Sequence, residues 1–304
     1  MRTLRNSQDG WIAPVVAATI VVILLAGPLI LHFGQIRHNR VPVLDERFPA
    51  TAKPASGEVF ASTLATLIDH ELSGLTGWRP NDFLLWGPGL WADNNSNRQL
   101  GILQAVRESG RIFKDNLTKV SSDQFDANLV EADTAFRNDA TKLWLPSAES
   151  RLRAGTRQLG KYVAGLKTDP PKSRPINQRN IELIKLFQAW TDLLGGAHAD
   201  LYNEKAGWFE IDDVFYRAQG YAHAMHHLSR AVHREYPETI DSRPVLTTLF
   251  QEVARALDRA SQMKPLIVLD GSPSGVTANH RRNLAIFLSE ARQKMYSIRE
   301  ELEK

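Results

Sequence analysis

The residues best equipped for chemistry lie in one stretch, His223, His226, His227 and His233, behind an acidic group formed by Glu210, Asp212 and Asp213. On a helix, His223 and His227 are four apart and can face one metal ion, with carboxylate oxygens completing the shell. Two features weigh against that use. A helical zinc motif needs glutamate at position 224, where the chain has alanine. With Met225 at the centre of the apolar stripe, His223 and His227 lie about 160° and 200° away at 100° per residue. They are then expected to be solvated or hydrogen-bonded, beside Tyr216, Arg230 and Arg234. Tyr216, His223, His227 and Arg230 therefore form a candidate partner-binding face, and no metal or other cofactor is assigned. A metal-dependent enzyme built on His223 and His227 is the alternative.

A second candidate is residues 74–97, GLTGWRPNDFLLWGPGLWADNNSN, where Trp78, Trp86 and Trp91 crowd into a segment broken by glycine, proline and asparagine. An aromatic loop of this length folds back on its own core or meets something else, either a partner or the bilayer interface that tryptophan favours. The third is the start of the last helix, where Asn279, His280 and Arg281 follow a Gly-Ser-Pro-Ser-Gly turn. A helix N-terminus with basic residues can hold an anion, but the turn lacks the Gly-Lys-Ser/Thr ending of a nucleotide-binding loop. No GxSxG elbow is present, and a chain without cysteine has no thiol nucleophile. Glu131, Asp133 and Glu149 read as solvated helix faces rather than an acid–base pair.

The elements that must position these groups share one period. Leu103, Val106, Gly110, Phe113 and Leu117 are spaced three and four apart. So are Leu183, Phe187, Trp190, Leu194, Ala197 and Leu201; Val214, Ala218, Tyr221, Met225, Leu228 and Val232; and Leu284, Leu288, Ala291, Met295, Ile298 and Leu302. Such stripes pack at small crossing angles in an antiparallel bundle. Further helices are expected at 58–72, 125–144, 147–166 and 245–263, with starts marked by Ser147 and by Ser242 before Pro244. The proline-rich 169–175 is a stiff connector and a possible internal division of a helical domain spanning 58–304. The apolar run 266–269 could be extended, but one such run builds no sheet. The expected fold class is all-α.

Ahead of the bundle, residues 11–33 read WIAPVVAATIVVILLAGPLILHF, inside a run from 10 to 36 with no Asp, Glu, Lys or Arg. Twenty-three helical residues rise about 34 Å, enough for a hydrocarbon core of about 30 Å. The run is too long for the core of a signal peptide and has no small-x-small cleavage site after it. It is expected to be a transmembrane helix in contact with the lipid bilayer, between a short tail (1–10) and a juxtamembrane linker (34–57). Arg2 and Arg5 before it and Arg37, Arg40 and Arg47 after it leave the positive-inside comparison undecided. The short tail favours an N-terminus inside and the bulk of the chain outside. The net charge of +3 is spread among interspersed acids and bases, so no nucleic-acid footprint is expected.

Residues 89–95 (GLWADNN), 145–150 (LPSAES), 211–220 (IDDVFYRAQG), 266–272 (LIVLDGS) and 278–280 (ANH), taken with the apolar span, resemble the bacterial membrane-protein family called domain of unknown function 2333. The resemblance runs across nearly the whole chain. It implies a single-span envelope protein of proteobacterial type, placed in the inner membrane with its helical part in the periplasm. It implies no reaction and carries over no functional residue. A binding, scaffold or accessory role with an envelope-protein partner is the leading expectation; an enzyme or a lipid- or anion-binding bundle stands behind it.

Overall fold

A computed structural model describes residues 9–38, 44–49, 51–74, 77–82, 93–119, 124–203, 207–265, 267–269 and 279–304. The chain forms α1 (Asp9–His38), α2 (Leu44–Arg47), α3 (Glu58–Ser73), α4 (Asn94–Ile112), α5 (Ala127–Phe136), α6 (Ala148–Leu166), α7 (Asn180–Leu201), α8 (Trp208–Glu235), α9 (Pro237–Asp241), α10 (Pro244–Ser261) and α11 (His280–Glu303). A π-helical turn, Phe113–Leu117, closes α4. Among the described residues there is no strand, so the fold is all-α. Residues 267–269 are not a strand either; Leu269 exchanges hydrogen bonds with His280 across one isolated bridge.

The helix starts follow the sequence chemistry. Ser147 Oγ accepts from the Ser150 amide at 3.3 Å, and Asp126 Oδ1 accepts from the Asn128 amide at 2.9 Å, each satisfying an amide that the first turn leaves free. Pro244 opens α10, where the missing N–H costs nothing; Ser242 instead closes α9. The expected helix over 125–144 stops at Phe136. Arg107, reaching across from α4, donates Nε to the Phe136 carbonyl and Nη2 to that of Asn138, both at 2.6 Å. The Asp139 carboxylate then holds Thr141 in a turn. Trp144 and Leu145 are left on the α5–α6 connection, 77% and 95% exposed.

The apolar stripes of α4, α7, α8 and α11 meet in one core that runs from Leu44 to Leu302 and takes in residues on both sides of the 169–175 connector. α8 is its axis. It packs on α4, α10, α3 and α7, while α7, α10 and α11 lie together and α3 and α5 lie against α6. A helix surrounded in this way is buried around most of its circumference over its middle. Phe215, Tyr216, Ala218, Ala222, Ala224, Met225, Leu228 and Ala231 point in different directions and all are buried. α4 and α8 approach to backbone contact: a Cβ on Gly220 would lie 2.2 Å from the Arg98 carbonyl oxygen, and one on Gly101 would lie 2.1 Å from that of Arg217.

α1 is a separate matter. Its apolar side chains point outward, with Ile12 60% and Ile30 67% exposed. Among the described residues no helix is long and apolar enough to cross a membrane. In α1 the side chains are described without a break only over 12–24, a rise of about 20 Å.

Candidate functional site

The close α4–α8 crossing puts a polar seam inside the bundle. α8 supplies Asp212, Asp213, Tyr216, Gln219, His223 and His227, spaced three and four apart apart from the paired aspartates; α4 supplies Asn97 and Arg98, with Asp93 at its cap. The seam is acidic at one end and basic at the other.

At the acidic end Asp93 and Asp213 share a hydrogen bond between their carboxyl groups. Asn97 Nδ2 donates to Asp213 Oδ1 at 2.6 Å, and Arg217 Nη2 donates to Asn97 Oδ1 at 3.2 Å. Burial, followed by the charge of Asp93, raises Asp212 and Asp213 to about 7 each. Two carboxyls in contact cannot both ionise without cost, so one proton is held between them. Such a pair can take up and release a proton near neutral pH. Tyr216 separates this end from the next; its hydroxyl donates to the Pro265 carbonyl, and burial lifts its pKa far above the ordinary phenol value.

At the basic end Arg98 is fully buried and its Nη1 donates to Glu71 Oε1 of α3 at 2.9 Å. The other Glu71 oxygen accepts from Gln99 Nε2 at 3.1 Å. His223 is 5% exposed and stacks edge-on to His227, ring centroids 5.0 Å apart; His226 lies 5.1 Å from His227. Burial, and next the Arg98 charge, hold His223 well below the usual imidazole range; burial with His226 and Arg230 beside it takes His227 down to about 3. These rings are neutral at physiological pH. Lys264, just beyond α10, is lowered by burial and by the charge of Arg98.

The structure thus revises the surface assigned from sequence. Tyr216 and His223 are buried, because the side of α8 opposite Met225 faces α3 and α4 rather than water. Arg230 is part-exposed and pairs with Asp45 at 2.5 Å, on the wall of a surface cavity of about 780 Å³ that it shares with His233, Arg234 and Glu235. His233 is turned to Asp241, 2.7 Å away, and Glu210 is exposed. Among the described residues, no group of three or more His, Asp or Glu side chains is arranged to hold a metal ion. Trp78 is a core residue whose indole donates to the Ala140 carbonyl at 2.8 Å; Trp86 and Trp91 lie outside the described residues.

The start of α11 is used internally. Asn279 Oδ1 accepts from the Arg282 amide at 2.8 Å, and His280 Nδ1 accepts from the Leu269 amide at 3.1 Å. Arg281 is buried and donates Nε and Nη2 to the Leu201 carbonyl at 2.9 and 2.6 Å, closing the C-terminus of α7. It is a capping side chain rather than an anion ligand. Asp133 is held by Lys114 and Arg137, while Glu149 accepts from Asn81 and Glu131 from Gln158, so these carboxylates do not converge. Sequence reasoning missed Glu71 and Arg98, although a signal was present. Glu71 continues the Phe60–Leu64–Leu67 stripe, and Arg98 lies four before Ile102, so both are charges in apolar phase.

The model of a family described as "Uncharacterized protein conserved in bacteria (DUF2333)" matches residues 6–202 and 194–304. No curated protein and no solved structure matches the chain.

Proposed function

Because the chain belongs to this bacterial family, DUF2333, whose description names no activity, we propose from its residues that it is a single-span, membrane-anchored cell-envelope protein whose helical bundle works by binding. The observation that carries the reading is α1. It is one helix of 30 residues, about 45 Å long, and its sequence from 10 to 36 contains no Asp, Glu, Lys or Arg. Apolar on every side, such a helix has no reason to leave lipid for water. The bundle behind it closes its own core, which suits a body held at the membrane to engage an envelope partner. A single-pass topology with the bundle in the periplasm completes the proposal.

The test uses the absence of cysteine. Full-length chains carrying Ser7→Cys or Lys161→Cys, the latter on the exposed side of α6, are challenged in cells with a membrane-impermeant maleimide after the outer membrane is permeabilised. The expected result is labelling of the Lys161→Cys chain in intact spheroplasts and of the Ser7→Cys chain only after lysis. The reverse pattern would place the bundle in the cytoplasm. Equal protection of both until lysis would remove the span altogether.

A further inference from the structure

The guanidinium of Arg98 has two edges, and the bundle occupies only one. Nη1 is taken by Glu71. Nε and Nη2, the side-on fork that matches two oxygens of one carboxylate or phosphate, have no hydrogen-bond partner among the described residues, although the side chain is 0% exposed. Glu71 cannot turn to serve the fork, because its second oxygen is fixed by Gln99, which is itself tied to the Gly77 carbonyl at 2.9 Å and the Arg79 amide at 2.8 Å. On α8, His223 lies close enough to feel the Arg98 charge, and its Nε2 is also buried with no hydrogen-bond partner among the described residues. Both groups are held in place by the backbone crossing at Gly220. Native interiors rarely leave one buried donor unmet, and a charged fork is the most costly to leave. The charges around the fork are Arg98 and Lys264 against Glu71, which Nη1 engages, and Asp258, which acts on Lys264, and the nearby imidazoles are neutral.

We propose that the Nε/Nη2 edge of Arg98, together with His223 Nε2, binds the oxyanion group, carboxylate or phosphate, of a small ligand. The two N–H groups of the fork donate to two oxygens, and His223 in its Nε2–H tautomer donates a third hydrogen bond.

The test is calorimetric titration of the detergent-solubilised full chain with inorganic phosphate and, separately, with sodium acetate, each incubated to equilibrium at constant ionic strength. Saturable one-to-one uptake of phosphate alone identifies a phosphate-bearing ligand; uptake of acetate alone identifies a carboxylate. Uptake of both supports the site and its shared chemistry. Arg98→Lys keeps the charge and removes the fork, and affinity for the bound probe should fall at least tenfold. His223→Leu, which preserves the bulk and leaves Arg98 paired with Glu71, keeps the test open should the lysine variant fail to fold; it should weaken binding several-fold. No saturable uptake of either probe by the folded wild-type chain would overturn the proposal, as would uptake unchanged in both variants.

Discussion

Along the α4–α8 seam, single residues titrate in opposite senses. Asp212 and Asp213 go from an ordinary 3.8 to about 7 in the fold. A carboxyl whose folded pKa is raised contributes stability that is complete below its unfolded value, near 4, and is lost as pH rises through about 7. His227 goes the other way, from 6.5 to about 3. Its contribution is present above 6.5 and is lost as pH falls towards 3, because the unfolded chain takes up a proton that the buried ring refuses. Between about 4 and 6.5 the two effects oppose each other; above 6.5 His227 no longer contributes to the slope and the aspartates do. We therefore expect the urea midpoint of the wild-type chain to fall as pH rises from 6.5 to 8. Asp213→Asn, which keeps the shape and mimics the protonated form facing Asp93 and Asn97, should flatten that fall. His227→Gln should shift the dependence below 6.5 towards lower stability at higher pH, by removing one of the opposing contributions, while His223 and His226 keep theirs. A midpoint that rises between 6.5 and 8 would contradict the shared-proton assignment. The residues of this seam were half legible. The histidines and Asp212–Asp213 stand out as types, but their burial was not readable from α8 alone, since a polar stripe reads as solvent-facing unless the neighbours covering it are known.

For the elements, small residues decide how closely helices pack. At Gly220 and Gly101 the atoms in the way are the neighbouring helix's backbone, which cannot rotate aside. Gly220→Ala must force α4 and α8 apart, at a cost of about 1–3 kcal/mol by analogy with overpacked cores, while Gly160→Ala on α6 meets nothing within 4 Å and should gain about 0.5–1 kcal/mol of helix propensity. Chemical denaturation of the two variants gives the comparison, and equal effects of the same sign would contradict the close crossing. Stripes with a clean three-four period were legible as helices, and Leu103, Val106, Met225, Leu228, Leu288 and Met295 all lie in the core. The early end of α5 was not, because its stop signal is Arg107, a side chain from another helix about thirty positions away. Local propensity carries no record of such a cap.

Taken whole, the molecule joins a self-contained bundle to one long apolar helix. The bundle buries its own stripes around α8, and among the described residues α1 adds no side chain to that core, although it touches α4. Most of the described apolar side chains of α1 are exposed, and the proposed anchor would cover them with lipid. The helical bundle could be read from the sequence because it depends on the period of its apolar residues. The seam depends on which helix lies beside which, and so became readable only in three dimensions. The central claim is that α1 holds the protein in a membrane, and alkaline carbonate extraction of cell membranes tests it most directly. The full chain should stay in the pellet, and a double substitution Val16→Arg/Ile20→Arg in α1 should move it to the supernatant with the bundle still folded. Release of the unmodified chain by carbonate would contradict the account.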